Sequence, residues 1–311
     1  MRRFVPLLLT AVAGCGGAGN LPAPAATPAI SVSTGGWRAT PNPSFRIVGA
    51  STPNAGWVSD EVWLTTGTAQ GVRLYRSRDG SNQTTAEVLP GLSTALEGTG
   101  YSPTETVPRQ SAAGERELYV LGLAPPEVDR AWLFRLAERG GAFVRNPSAA
   151  VYQGLPGNQG FVGVPDVYRA PDGRQRLVYV EKGAARQNAR TAISADQGAS
   201  FTLESTNPFG DINLSGAADT NVDPAVLALS SGGYIAVTMR ATKLYVFTSV
   251  DGLAFTPQPG AAIEAASFVG GATGLFDPTL VQRSDGVVLM FVTLEDDQRR
   301  PSVVQATLRL Q

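Results

Sequence analysis

The stretch "SADQGASF", residues 194–201, is the best-preserved copy of a turn that recurs along the chain. A shorter copy, "SVDGLAF", spans 249–255, a partial one, "SRDGSNQ", spans 77–83, and a degenerate one, "AERGGAF", spans 137–143. The first residues of successive copies lie 60, 57 and 55 residues apart. A near-constant period of this length is typical of repeat architectures such as propellers.

The residue types of this turn favour a structural role. An Asp side chain can accept hydrogen bonds from turn amides, Gly permits positive φ, and the aromatic residue can pack back between sheets. The pattern resembles the Asp-box, or BNR, repeat of sialidase-like β-propellers, which implies a position on the outer rim between the third and fourth strands of a blade. The residues that carry this resemblance are Ser194, Asp196, Gly198, Phe201, Ser249, Asp251, Gly252, Phe255, Ser77, Asp79 and Gly80.

A second periodic feature is a short segment that contains Pro at the start of a predicted strand. The five copies are "NPSFRIV" at Pro43, "SPTETV" at Pro103, "VPDVYR" at Pro165, "DPAVLA" at Pro224 and "DPTLVQ" at Pro278. Their spacings are 60, 62, 59 and 54 residues. Each copy is followed by two runs rich in β-branched and aromatic residues, separated by polar or Gly-containing turns, so each unit predicts a meander of strands.

These repeats predict an all-β fold, a five-bladed β-propeller over residues 30–311, with blades starting near residues 42, 102, 164, 223 and 277. The fifth unit ends after its third strand, so the outer strand of the last blade must come from elsewhere in the chain. The N-terminal segment "AISVSTGGWRA" (29–39) is the expected donor. Such closure would remove exposed sheet edges.

The N-terminus predicts export. Residues 1–14 combine two arginines with an apolar run too short to span a bilayer, and the end of this segment with Cys15 resembles the lipobox of bacterial lipoproteins. The resemblance implies a lipid on Cys15, with 15–29 as a Gly/Ala/Pro tether. The alternative is an ordinary signal peptide with a chance Cys. We expect a location in a bacterial cell envelope, with the outer membrane preferred because Gly16 is not the Asp that signals inner-membrane retention.

Composition excludes several functions. The chain has no His, which removes Ser-His-Asp and Cys-His catalysis and His-ligated zinc. Its formal net charge of -1 argues against a nucleic-acid partner. No phosphate-binding loop or Cys cluster appears, so we expect no cofactor and no metal. We expect a monomer whose partners are a carbohydrate or an envelope component and, through the lipid on Cys15, a membrane.

Candidate functional residues flank the five prolines, because the innermost strands of a propeller line its central channel. Asp166, Asp223 and Asp277 lie there on three adjacent blades. A glycosidase needs two carboxyl groups across the scissile bond, so the three are candidate catalytic residues. The alternative is that these aspartates cap strand starts and bond to backbone amides of neighbouring blades.

Further resemblances extend this set. "DPAV", "DPTL" and "VPDV" are similar to segments of five-bladed glycosidases that act on arabinosides, xylosides and fructosides, although the Glu that those families carry has no evident match. "FRIV" is similar to a sialidase segment and implies that Arg46 binds a substrate carboxylate. The other candidate ligand-binding residues are Asn42, Ser44, Thr104, Tyr168 and Arg240.

Two functions remain from the sequence. The incomplete acid set favours a non-catalytic propeller that binds a glycan or another envelope component. The alternative is a glycoside hydrolase that uses the inner-strand carboxylates at the central funnel.

Overall fold

In the residues that the structure describes, nineteen β-strands form five small antiparallel sheets, which are arranged as a five-bladed β-propeller. The structure is a computed structural model, and it describes residues 36–125, 127–155, 160–182, 187–205, 208–209, 221–268 and 272–311. The fold class predicted from the repeats is therefore confirmed.

Each blade is a meander whose first strand lies innermost. Blade 1 contains β2 (Ala50–Val58), β3 (Glu61–Thr68) and β4 (Gly71–Ser77). Blade 2 contains β5 (Ser102–Gln110), β6 (Arg116–Ala124), β7 (Glu127–Arg139) and β8 (Ala142–Arg145). Blade 3 contains β9 (Gly163–Arg169), β10 (Gln175–Lys182), β11 (Gln187–Ser194) and β12 (Thr202–Leu203).

Blade 4 contains β13 (Val222–Ala228), β14 (Tyr234–Arg240), β15 (Lys243–Ser249) and β16 (Thr256–Pro257). A short 3-10 turn, Ala265–Ser267, precedes blade 5. Blade 5 contains β17 (Ala272–Gln282), β18 (Val288–Asp296), β19 (Pro301–Leu310) and, as its outermost strand, β1 (Trp37–Val48). Within the described ranges, no helix is both long and apolar enough to cross a bilayer.

The predicted closure of the last blade by the N-terminal segment is confirmed, and the closing strand continues beyond the predicted segment. β1 pairs with β19 from Trp37↔Leu310 to Val48↔Ser302, so it extends nine residues beyond the predicted end at residue 39. Residues 29–35 lie outside the described residues. Phe45 and Ile47 stabilise this pairing, because both are buried against blade 5. The ring centroids of Phe45 and Phe291 lie 5.3 Å apart in an edge-on arrangement.

This closure also corrects the first repeat. "NPSFRIV" lies in β1, at the outside of blade 5, whereas the inner strand of blade 1 is β2, which carries Pro53. Asn42, Ser44 and Arg46 were predicted to line the channel, and that placement is therefore wrong. The error arose because a Pro in a bulged outer strand resembles the Pro of an inner strand: β1 shifts register between Pro41 and Arg46.

The core is divided among the interfaces between blades. Five clusters of buried apolar side chains are present, and each joins two neighbouring blades. Consecutive side chains of a strand point to opposite faces, so each blade supplies residues to two clusters. The ring is thus held by sheet-on-sheet packing, with the innermost strands β2, β5, β9, β13 and β17 in contact around its centre.

The recurring turn has the local geometry expected of a folding device. In blade 3, Ser194 Oγ donates to Asp196 Oδ1 (2.7 Å), the Gly198 amide donates to Ser194 Oγ (2.7 Å), and the Ser200 amide donates to Asp196 Oδ1 (2.9 Å). Phe201 is buried between blades 2 and 3. The turn lies between the third and fourth strands of its blade.

The copies of this turn in other blades share its bonds. Asp251 accepts hydrogen bonds from Ser249 Oγ (3.0 Å) and the Leu253 amide (2.9 Å), and Phe255 is buried between blades 3 and 4. In blade 1, Asp79 Oδ1 accepts one from the Ser81 amide (3.0 Å), next to Gly80 at φ 73°.

Candidate active site

Four of the five inner strands end in the same hairpin, and this hairpin defines their common register. Its Gly has positive φ in each case and donates its amide to the carbonyl three residues earlier, at 2.9 to 3.0 Å. These glycines are Gly114, Gly173, Gly232 and Gly286. The positions nine residues before them are therefore equivalent, and they hold Glu105, Val164, Asp223 and Asp277.

Blade 1 supplies Thr52 at the same level. Its inner strand has a two-residue turn instead, but the Ala55 amide donates to Thr279 Oγ1 (2.9 Å), as the Val226 amide does to Asp166 Oδ2 (2.9 Å). We call Thr52, Glu105, Val164, Asp223 and Asp277 the channel ring. Three of its five members carry carboxyl groups.

Sequence reasoning missed Glu105. The repeat pattern points to the Pro of "SPTETV", but the strand reaches the Pro position of the other blades only at Thr106. The signal that locates Glu105 is the hairpin Gly, because the count of nine residues back from Gly114 is independent of any Pro.

The backbone at the channel ring is bulged. Thr52, Val164, Asp223 and Asp277 have φ of 47°, 42°, 51° and 50°, and the ladder to the second strand shifts register next to each of them. Left-handed conformations at residues other than Gly cost of order 1–3 kcal/mol each and are concentrated at functional sites. Because of the bulge, these side chains do not follow the regular alternation of side chains between the two faces of the sheet.

Asp223 and Asp277 lie next to each other across the interface between blades 4 and 5. The Asp277 amide donates to Asp223 Oδ2 (3.4 Å), and Thr293 Oγ1 donates to Asp277 Oδ2 (3.2 Å). Burial, and then the charge of Asp277, raise the pKa of Asp223 to about 8. Burial raises the pKa of Asp277 to about 6, against the hydrogen bonds from Thr293 and the Thr52 amide. The two carboxyls therefore titrate as a pair.

Glu105 completes the carboxyl group cluster from blade 2. Burial raises its pKa well above the ordinary range, and the charges of Asp277 and Asp223 add to the shift. Its Oε2 atom is buried and has no hydrogen-bond partner within the described part of the chain. At neutral pH Asp223 is thus mostly protonated and Asp277 mostly ionised, while the raised pKa of Glu105 favours its protonated form.

Asp166 is held in a different way. Both of its carboxylate oxygens accept backbone amides, from Val167 (2.8 Å) and Val226 (2.9 Å), and the Arg109 guanidinium pairs with it. Arg109 also donates to the carbonyls of Ala55 (2.8 Å) and Val167 (2.6 Å), so it ties blades 1, 2 and 3 together. These bonds match the alternative in which an inner-strand Asp caps the backbone of a neighbouring blade. Its predicted place beside Asp223 and Asp277 is wrong, since Asp166 lies two residues beyond the channel ring.

The other predicted residues are dispersed. Thr104 Oγ1 donates to the Leu121 carbonyl (3.1 Å) beside Glu105, whereas the Tyr168 hydroxyl donates to the Gly252 carbonyl (2.7 Å) and is buried between blades 3 and 4. The Arg240 guanidinium lies 3.8 Å from the centroid of the Tyr245 ring, at the end of β14. In β1, Asn42 Nδ2 donates to Gln305 Oε1 (2.7 Å), Ser44 donates its amide to Asn42 Oδ1 (3.1 Å), and Arg46 Nε donates to Ser302 Oγ (3.2 Å).

A cavity of about 380 Å³ opens at the other end of the inner strands. Its lining comes from the C-terminal halves of these strands, such as Trp57, Arg169 and Gln282, and includes Arg109 but no member of the channel ring. The described residues contain no group of three or more Asp, Glu, His or Cys placed to hold a metal ion. The perturbed carboxyls, rather than the cavity, mark the candidate site.

Comparisons with known proteins agree with this architecture. No protein-family model and no curated protein matches the sequence. Among solved structures, the α-L-arabinofuranosidase from Lactobacillus brevis matches with a TM-score of 0.59 and 14% identity, over 86% of this chain and 92% of that one. A thermostable family-43 glycoside hydrolase matches with a TM-score of 0.64 and 12% identity, over 88% and 96% of the two chains.

A third match extends the same group. The endo-arabinase from Bacteroides thetaiotaomicron has a TM-score of 0.60 and 13% identity, over 88% of this chain and 98% of that one. At these identities the likeness concerns the fold. The chain has the five-bladed fold of these glycoside hydrolases, and the sialidase-like assignment stays a prediction.

Proposed function

We propose that the protein is a glycoside hydrolase whose reaction takes place at the channel ring. The observation that carries this proposal is the cluster of Glu105, Asp223 and Asp277, in which the pKa of Glu105 is raised well above its ordinary value, that of Asp223 to about 8 and that of Asp277 only to about 6. Glycoside hydrolysis needs this division, because one group must donate a proton while another acts as an anion.

The roles follow from the environments. Glu105 is the general acid: it is half-buried, its raised pKa favours the protonated form, and its Oε2 atom has no hydrogen-bond partner within the described residues. Asp277, the ionised member, either takes a proton from the attacking water or attacks the anomeric carbon itself, depending on the separation of the two carboxyl groups. Asp223 contacts Asp277 and, being mostly protonated at neutral pH, leaves the charge of the pair on Asp277.

The substrate class is proposed from the structural neighbours, whose names specify arabinofuranosidase and endo-arabinase activities. We propose that the substrate is a glycan that contains arabinose or xylose, since a xylan β-1,4-xylosidase is also among the structural neighbours. The binding module predicted from the incomplete acid set is less well supported, because Glu105 supplies the missing acid.

We propose that this activity is displayed at the surface of a bacterial envelope by a lipid on Cys15, with 15–29 as tether. The support is the N-terminal sequence itself: an export signal ends at the only Cys of the chain. A monomer is the proposed state, since the closing strand β1 already pairs with the edge that blade 5 would otherwise expose.

The test of the proposed function is hydrolysis of aryl α-L-arabinofuranosides, aryl β-D-xylosides and arabinan by the purified protein. Glu105→Gln and Asp277→Asn should each lower kcat by about 10² to 10⁴-fold, because each removes one proton-transfer or nucleophilic group. Glu97→Gln and Asp297→Asn change exposed carboxyls elsewhere and should leave kcat unaltered.

Asp166→Asn separates the structural carboxyl from the catalytic ones. It should lower stability while leaving kcat of the folded protein within a few-fold of wild type, since Asp166 bonds to Arg109 and to backbone amides. Full activity in Asp277→Asn would refute the mechanism. Oligosaccharide binding without hydrolysis, tested against all three substrates, would select the binding module.

A further inference from the structure

The hydroxyl group of Thr293 connects blade 1 with the carboxyl pair. Thr293 lies in β18 and is 5% exposed. Its Oγ1 accepts the Thr52 amide of β2 at 2.9 Å and lies 3.2 Å from Asp277 Oδ2. The threonine therefore bridges the inner strand of blade 1 and the channel ring residue of blade 5.

The direction of these two hydrogen bonds is determined by chemistry. A backbone amide can only donate, so the Thr52 N–H occupies an acceptor position of the hydroxyl. A hydroxyl has a single proton to give, and the partner on its other side is the Asp277 carboxyl. Thr293 must therefore donate to Asp277, and a donor stabilises the ionised form of a carboxyl.

Asp277 and Asp223 differ in the hydrogen-bond donors that their carboxyl groups receive. Asp277 receives the Thr293 hydroxyl and is also stabilised by the Thr52 amide, whereas within the described part of the chain Asp223 accepts only the Asp277 amide, at the longer distance of 3.4 Å. Among the described residues, the other titratable group coupled to the pair is Glu105 from β5, and β2 and β18 contribute the neutral Thr52 and Thr293. The charges of Asp223 and Asp277 oppose the ionisation of Glu105, and an ionised Glu105 would by reciprocity oppose the ionisation of either aspartate.

We propose that Thr293 is a positioning residue: held by the Thr52 amide, it gives its proton to Asp277 and so determines that Asp277, and not Asp223, carries the charge of the pair. The consequence for catalysis rests on the proposed function, because only then does it matter which carboxylate faces the substrate. The order of ionisation itself does not depend on any activity.

The experiment is a carboxyl ¹³C NMR titration of the full chain from pH 4 to 9, with the two resonances assigned through Asp223→Asn and Asp277→Asn. In the wild type, Asp277 should ionise first. Thr293→Val, which keeps the shape and removes the hydroxyl, should raise the lower apparent pKa by about one unit or transfer that step to Asp223. Thr293→Ser, which keeps the hydroxyl, should restore the wild-type order.

A kinetic measurement tests the consequence. In Thr293→Val the acidic limb of the pH dependence of kcat should shift to higher pH by about one unit, with KM changed less than about twofold. In Thr293→Ser the limb should lie at its wild-type position. A merely structural threonine would lower the melting temperature without moving this limb.

The outcomes are separable. Ionisation of Asp223 first in the wild type, or an unchanged lower pKa in Thr293→Val, would overturn the positioning role. If Thr293→Val does not fold, the order in which Asp277 and Asp223 ionise in the wild type and in Thr293→Ser still tests the inference. A titration as expected in a protein that hydrolyses no glycoside would support this inference and refute the proposed function.

Discussion

At the scale of single residues, Asp223, Asp277 and Glu105 are carboxyl groups whose ionisation is opposed by burial without a compensating cation within the described ranges. Asp223 is buried, Glu105 and Asp277 are partly buried, and in the described residues the three carboxyls interact with one another, with amides and with a hydroxyl. Asp166 is also withdrawn from water, but it is compensated by Arg109. The charge of Asp166 is thus compensated by its neighbours. In the described part of the chain the other three carboxyls have no such cationic partner, and they can take part in chemistry.

The uncompensated Asp223 should make stability depend on pH. Its pKa near 8 in the folded state exceeds the unfolded value near 4, so between these values the folded protein binds more protons than the unfolded chain. Stability therefore falls as pH rises through this window. Asp223→Asn should raise the melting temperature at pH 8 by several degrees and change it little at pH 4.

Differential scanning calorimetry of the variant and wild type at both pH values checks this prediction. Asn tolerates the positive φ of 51° at this position, so the backbone is not expected to oppose the change. A variant that is less stable than wild type at pH 8 would contradict the assigned environment of Asp223.

At the scale of elements, the hairpin after an inner strand and the outer Asp-containing turn have similar backbone conformations but different structural roles. Gly173 closes the hairpin of blade 3 at φ 81° and has open space around it. Gly198 closes the Ser194–Asp196 turn at φ 82°, but a Cβ there would lie 2.0 Å from the Tyr119 hydroxyl and 2.3 Å from Gln175 Oε1. The hairpin sets strand register, whereas the outer turn also packs one blade on another.

The matched variants Gly173→Ala and Gly198→Ala should separate these contributions. Both incur the penalty of about 1 kcal/mol for a side chain at positive φ. Gly198→Ala should cost roughly 1–3 kcal/mol more, because it overpacks the contact between blades 2 and 3. Urea unfolding measures the difference, and equal losses of unfolding free energy would show that the outer turn does not pack against Tyr119 in solution.

At the scale of the whole molecule, the ring is closed by antiparallel pairing between the two ends of the propeller. β1 covers the edge of β19 and buries Phe45 and Ile47 beside blade 1. A chain that begins at Gly36 should melt within about 2 °C of the full chain. A chain that begins at Ala50 should aggregate, because it exposes the β19 edge and removes two core side chains.

Circular dichroism melts and size-exclusion chromatography of the two truncated chains provide the measurement. A soluble, cooperatively folded chain beginning at Ala50 would show that closure by β1 is dispensable.

The envelope location is tested on the intact precursor. Expressed in a bacterium with radiolabelled palmitate, the wild type should incorporate label and fractionate with membranes, because two or more acyl chains anchor a protein stably. Cys15→Ser should lose both properties. Label-free, soluble wild-type protein would instead fit the alternative of an ordinary signal peptide.

The sequence by itself determined the all-β class, the five units and the need for an N-terminal closing strand. These properties depend on local patterns, such as strand alternation and turns with Asp and Gly, which repeat along the chain and can be counted. It also placed Asp223 and Asp277 correctly on inner strands, because both directly precede a Pro.

Only the tertiary structure decided which residues meet at the channel. The bulges shift register by one or two residues, so Glu105 and not Thr104 reaches the ring, and Pro43 belongs to an outer strand. The pairing of Asp166 with Arg109 joins residues 57 positions apart, and the Thr52–Thr293 bond spans 241. Such contacts depend on how blades pack against one another, which no local pattern encodes.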